Sequence, residues 1–149
     1  MNIRRATIND RDTIVNFQLD MAMETENMQL DKINLYKGVQ KFFDEPMLGT
    51  YWMVDHDDQS IASTLIQYEW SDWRNCWVWW IHSVYVLPEN RKSGAFRMLY
   101  KHLKAMVEKS DDVGGLRLFV DKTNVRAQKV YEAMGMNGDH YQLFEWMTK

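Results

Sequence analysis

The spacing of hydrophobic and polar positions changes period several times along the chain. Asn2 to Thr7 alternates as a short strand does, and Asn9 and Asp10 stand where helix caps belong. Ile14, Phe17 and Met21 then recur at helical spacing. A second helical stretch runs from about Leu30 to Phe43, with Ile33, Leu35, Val39, Phe42 and Phe43 as its expected buried set, and stops near Pro46 and Gly49. From Thr50 the period becomes two. Tyr51 to Val54 and Ile61 to Trp70 read as strands around the polar turn Asp55 to Ser60, and Cys76 to Val86 reads as a third strand after the turn Ser71 to Asn75. Beyond Pro88 a polar loop opens into a helix with Phe96, Leu99, Leu103 and Met106 on one face. Gly114 and Gly115 separate it from an expected strand, Leu116 to Asp121. Asn124 caps a helix carrying Ala127, Val130, Tyr131 and Met134, which Gly135 closes, and His140 to Met147 reads as a last strand. The order β-α-α-β-β-β-α-β-α-β predicts an α+β fold in which helices are layered on a mixed sheet.

Composition narrows what such a fold serves. A chain of 149 residues without repeats or linkers is expected to form a single domain, 1–149. With 46% hydrophobic and 26% charged residues it is an ordinary globular composition, poor in breakers with two Pro and seven Gly, and rich in rings at 13% aromatic. The balance of 18 basic against 21 acidic residues gives a net charge of −3, which argues against a nucleic-acid partner held by its phosphates. The lone Cys76 excludes an intrachain disulfide, and no Cys/His set has the spacing of a zinc site, so no metal is expected. No run approaches the roughly 18–20 apolar residues of a membrane span, and the start is too polar for a signal peptide. A reducing, cytoplasmic location follows as the expectation.

Two segments carry candidate chemistry. In Pro88 to Leu103, a strand ends in a loop with Arg91, Lys92, Ser93 and Gly94 before a helix begins, so backbone N–H groups and the positive helix end converge on any anion placed there. About thirty residues later, Asn124, Ala127, Tyr131 and Gly135 complete the pattern N-x-x-A-x-x-x-Y-x-x-x-G. With Arg91 and Gly94 matching [QR]-x-x-G-x-[GA] except at its last position, where Phe96 replaces a small residue, the chain resembles the GNAT superfamily of N-acetyltransferases. The element order agrees over essentially the whole chain.

The resemblance implies a GNAT-like, mostly antiparallel sheet of six to seven strands with about four helices. It implies acetyl-CoA as acetyl donor and an amine as acceptor. The main chain of Val84, Tyr85 and Val86 would pair with the pantetheine arm, and Arg91, Lys92, Ser93 and Gly94, with the N–H groups of Ala95 and Phe96, would hold the pyrophosphate. Asn124 would cap its helix or touch the pantetheine. Tyr131 would be the general acid that protonates the departing sulfur. An alkylammonium must lose a proton before it attacks: His82, which shares strand parity with Val84 and Val86, and the carboxylates Glu69, Glu24 and Glu26, acting directly or through water, are the candidate bases, with His82 and Glu69 foremost. Glu24 and Glu26 at the end of the first helix suit a cationic acceptor. Trp70 and Trp73 suit either an acceptor pocket or a homodimer contact. A non-catalytic acyl-CoA sensor or dimerisation domain of the same fold is the alternative.

Overall fold

The computed structural model describes all residues, Met1–Lys149. They form two compact units, Met1–Leu118 and Phe119–Lys149. The first holds a five-stranded sheet in spatial order β1-β2-β3-β4-β5, built from β1 (Asn2–Arg5), β2 (Gly49–His56), β3 (Gln59–Ser71), β4 (Cys76–Val86) and β5 (Val113–Leu118). The first four strands are antiparallel neighbours, and β5 lies parallel to β4 after the crossover helix α3 (Ala95–Glu108). The sheet is thus mixed and mostly antiparallel as expected, but has five strands rather than six or seven.

Two helices, α1 (Arg11–Glu26) and α2 (Lys32–Asp44), cover one face of the sheet. There Ile14, Val15, Phe17 and Val39 pack with Tyr51, Met53, Leu65 and Tyr85. The opposite parity of β2 meets α3: the Trp52 ring lies 5.2 Å from His102, and Leu99 and Leu103 are buried. The β2–β3 connection is tighter than the polar run suggested, because Asp57 and Asp58 both adopt left-handed φ (49° and 60°), as a two-residue hairpin turn requires.

Three expectations fail, each for a physical reason. Ile33 is 71% exposed because α2 turns Val39, Leu35, Phe42 and Phe43 toward the sheet and Ile33 away from it. Gly114 and Gly115 lie inside β5 instead of before it. A Cβ at Gly114 would come within 2.5 Å of the Cys76 sulfur, so the bare backbone is what lets β5 lie beside β4. His140 to Met147 forms no strand: the only regular element of its own unit is α4, which offers no strand edge to pair with. Phe144 and Trp146 are 88% and 87% exposed.

The second unit contains α4 (Val125–Ala133). Asn124 Oδ1 accepts from the Ala127 N–H at 3.0 Å, and Gly135 closes the helix at φ 89°, with the Met136 N–H reaching the Tyr131 carbonyl. Both capping expectations hold.

An ion-pair knot ties the N-terminal strand to the start of α1. Arg4 donates to both carboxylate oxygens of Asp10 at 2.8 Å and to Asp55, while Asp10 also accepts from the Thr7 N–H at 2.7 Å. The Arg4 hydrogen bonds, joined by that of Thr7, hold the Asp10 carboxyl below its ordinary 3.8. A lowered folded pKa adds stability above pH 3.8 that disappears as pH falls through the depressed value. Asp10→Asn should therefore destabilise the protein by about 1–3 kcal/mol at pH 7 and flatten the loss of stability below about pH 4, read by urea denaturation across pH.

Candidate active site

The site is built on the C-terminal half of β4. Pairing with β5 ends at Ile81↔Leu118, yet β4 continues to Val86, so its β5-facing edge from His82 onward has no strand beside it. On the other edge the β3 ladder runs Ser63↔Tyr85 and then Leu65↔His82, setting Thr64 against two residues, Ser83 and Val84. This is a β-bulge, and Ser83 sits in it at φ 51°. The Thr64 hydroxyl, fully buried, donates to the His82 carbonyl at 2.8 Å and pins the irregularity.

The extra residue resets the alternation of side chains. His82 pairs with Leu65 and Tyr85 with Ser63, so both face α1 and α2, whereas Val86, paired with Ala62, faces α3. The expected shared parity of His82 with Val84 and Val86 is thereby overturned. The Tyr85 ring is buried 5.2 Å from Phe17, which leaves its main chain as the part available at the edge.

After Val86 the chain makes one helical turn, Pro88–Asn90, and enters the loop. Lys92 (φ 70°) and Gly94 (φ 91°) are both left-handed, and Gly94 is the N-cap of α3 with open space where a side chain would project. Alternating left-handed residues turn successive N–H groups inward, as anion-binding nests do. The N–H groups of Lys92, Gly94 and Arg97 meet no protein acceptor, while that of Ala95 rests on the Ser93 hydroxyl at 3.4 Å. Phe96, the departure from the motif, turns its ring toward Tyr100 (6.4 Å), so its bulk leaves the loop instead of filling it. Arg91 donates from Nε to the Val86 carbonyl at 3.0 Å and from Nη2 to Glu24 at 2.7 Å. Inward-turned N–H groups beside a strand edge with no neighbouring strand are the donor set that an anion and an extended amide chain would use.

The two candidate bases lie on the same sheet face but in different states. Both Glu69 oxygens are engaged, one by Arg117 Nη1 at 3.0 Å and the other by Trp80 Nε1 at 3.2 Å. Trp80 in turn stacks on His82 at 6.1 Å and 15°. His82 is half-buried, and burial lowers its pKa from 6.5, so the imidazole is neutral at pH 7 with a lone pair to offer. Sequence reasoning missed Arg117 and Trp80 as holders of Glu69. A lone cation between the two leucines of Leu116-Arg117-Leu118 was the available signal.

The proposed acceptor residues do not gather in one place. Glu24, in the last turn of α1, lies at the Val86 end of β4 against Arg91 and Tyr85, and Glu26 follows it, exposed. Trp70 and Trp73, 50% and 89% exposed, lie at the other end, where Trp70 meets Trp77 edge-on at 5.1 Å. Nine residue steps along β4 at about 3.3 Å each lead from Trp77 to Val86, so the two groups are roughly 30 Å apart.

Within the second unit, the Asn124 oxygen is committed to its cap. Tyr131 is half-buried, and burial raises its phenol above the ordinary 10.0, which keeps the proton in place at neutral pH.

The architecture is a mixed sheet whose one parallel pair, β4 with β5, ends short of a left-handed loop that opens a helix. The model of the acetyltransferase (GNAT) family matches residues 14–136, which run through both units, and the chain belongs to that family. A "possible acetyltransferase" from Clostridium difficile 630 is 37% identical, with a TM-score of 0.92 over 99% of this chain and 97% of that one. A "probable acetyltransferase" at 21% identity has a TM-score of 0.86, covering 100% and 99%. A Clostridium acetobutylicum structure, "predicted acetyltransferase with acetyl-CoA", is 17% identical with a TM-score of 0.75, covering 97% and 95%; these last two speak for the fold alone. No curated protein matches the chain.

The bulge offers a direct check. Thr64→Val keeps the shape but removes the hydroxyl that donates to the His82 carbonyl, so it should lower stability by about 1–2 kcal/mol in urea titrations. An unchanged urea midpoint would show that the hydroxyl does not hold the bulge in place.

Proposed function

We propose that the protein is a cytoplasmic, acetyl-CoA-dependent N-acetyltransferase that transfers acetyl to an amine by direct attack, with 1–149 acting as one catalytic domain. The observation that carries this reading is the unpaired edge of β4 running straight into the left-handed loop and the start of α3. An extended pantetheine arm with its two amides is a ligand for such an edge, and a pyrophosphate is a ligand for such a loop.

In this reading the main chain of Val84, Tyr85 and Val86 pairs with the pantetheine. Arg91, Lys92, Ser93 and Gly94, with the N–H groups of Ala95 and Phe96, hold the pyrophosphate. Asn124, its oxygen spent on the cap, has its amide N–H left for the pantetheine. His82 rather than Glu69 is the base, because its imidazole is neutral at pH 7 whereas both Glu69 oxygens already accept hydrogen bonds. Glu69 serves to fix Trp80, and Trp80 fixes the His82 ring. The amine nitrogen forms its bond to the acetyl carbon and gives up a proton to His82. As the C–S bond breaks, Tyr131 donates to the sulfur. Moving a proton from a raised phenol to a thiolate of ordinary pKa about 8.5 is uphill, so Tyr131 must be reprotonated through solvent at once.

Glu24 and Glu26 make an acidic helix end suited to a cationic acceptor. Trp70 and Trp73, distant from the β4 edge, fit a homodimer contact better than an acceptor wall.

The test is thiol release from acetyl-CoA with a panel of primary amines; binding of acetyl-CoA without release across the panel would favour the sensor alternative. Tyr131→Phe should cut the chemical step by about 10²–10⁴-fold with CoA affinity nearly intact. The kcat/KM profile should fall on its acid side below the ordinary His value of 6.5, and His82→Ala should remove that limb; a limb that survives the substitution excludes His82 as the base.

A further inference from the structure

Arg91 is the only guanidinium in the loop assigned to the pyrophosphate, and it is already occupied. Its Nη2 donates to Glu24 Oε2 at 2.7 Å across 67 residues of sequence, and its guanidinium lies 5.7 Å over the Tyr85 ring. The Tyr85 hydroxyl donates to the other Glu24 oxygen at 3.5 Å. Burial raises the Tyr85 phenol, and Glu24 and then Asp20, one turn earlier on α1, add to it, so the helix that holds Arg91 presents two acidic groups on this side.

The placement of Glu24 runs against the preference of an isolated helix. The last turn of α1 contains no basic residue and ends in Glu24-Thr25-Glu26, although the C-terminus of a helix already carries partial negative charge. Arg91 supplies the missing counter-charge. Any anion that takes Arg91 must do so against this carboxylate.

We propose that Glu24 is an internal competitor for the cofactor: it holds Arg91 in the free protein and is displaced when the pyrophosphate engages the loop. The inference rests on the assignment of Arg91 to Gly94 to the pyrophosphate. Its consequence is that the C-terminal turn of α1 responds to occupancy, since only the loaded protein presents Glu24 without its arginine. The carboxylate expected to attract a cationic acceptor is therefore exposed after the donor is bound. Both side chains are 40% exposed, so the pair is solvent-screened and of a strength that a polyanion can displace.

The experiment is calorimetric titration of CoA into the wild type, Glu24→Gln, Arg91→Gln and the double variant, with near-UV circular dichroism to confirm that each is folded. Arg91→Gln should weaken CoA binding, and Glu24→Gln should tighten it about two- to fivefold, the range an exposed pair supports. In the Arg91→Gln background the gain from Glu24→Gln should vanish, because no arginine remains to compete for. If Glu24→Gln leaves CoA affinity unchanged or weakens it while Arg91→Gln still weakens it, the competitor role is overturned and the loop assignment stands. A gain that persists without Arg91 reduces Glu24 to plain charge repulsion and also overturns it. If Arg91→Gln leaves CoA binding intact, the loop assignment itself fails and the inference falls with it.

Discussion

The rest of the site depends on one irregularity of hydrogen bonding: the extra residue in β4 opposite Thr64. A strand has a side-chain period of two, so a single inserted residue reverses the facing of everything beyond it. Before the bulge, His82 faces the α1 side. Beyond it, Tyr85 faces that side too, where its ring can bury against Phe17 and its hydroxyl can reach Glu24. Without the extra residue Tyr85 would face α3, and both the aromatic contact and the link to α1 would be lost. The bulge also increases local twist, which is consistent with β5 pairing no further than Ile81↔Leu118. The buried Thr64 hydroxyl donates to the His82 carbonyl beside the bulge and so ties the two strands together where the ladder is distorted.

This explains which parts of the structure were legible in the sequence. Features encoded by local chemistry were readable. The bounds of β4, Cys76–Val86, follow from a run of Trp, Val and Tyr between a polar turn and a proline. The left-handed Gly135 and the Asn124 cap follow from residue types with few other uses. The bulge was not readable, because Ser83 is neither Gly nor Asn and its φ of 51° is imposed by the register with β3. From that omission came the wrong parity for His82. The placing of Gly114 inside β5 was hidden for the same reason, since it turns on the Cys76 sulfur of a neighbouring strand.

The crowd of tryptophans between positions 70 and 80 shows how composition can mislead about burial. Five rings in eleven positions suggest a core, yet none of these five is fully buried. The buried tryptophan is Trp52, on β2 against α3. The rings of the β3–β4 hairpin instead pair across strands, Trp70 with Trp77 and Tyr68 with Trp79, as exposed or half-exposed sheet surfaces do. Trp80 is the exception in kind. Its indole N–H is bound to Glu69 and its face to His82, so an aromatic side chain passes order from an ion pair to an imidazole.

Charge pairing in this protein follows a common logic with different ends. Arg4 and Asp10 are half to nearly buried and close the N-terminal strand onto α1, which is a folding role. Glu69 is far more exposed than Asp10, and its pair with Arg117 fixes the orientation of Trp80. Arg91 and Glu24 are equally exposed, and here the arginine belongs to the loop whose backbone is shaped for an anion. Exposure of the carboxylate separates the first pair from the other two: a pair shielded from water resists exchange, whereas one open to solvent exchanges partners at little cost. The pair at the loop is thus the one that a ligand can rearrange without disturbing the sheet, because the strands on either side are held by backbone ladders that do not involve it.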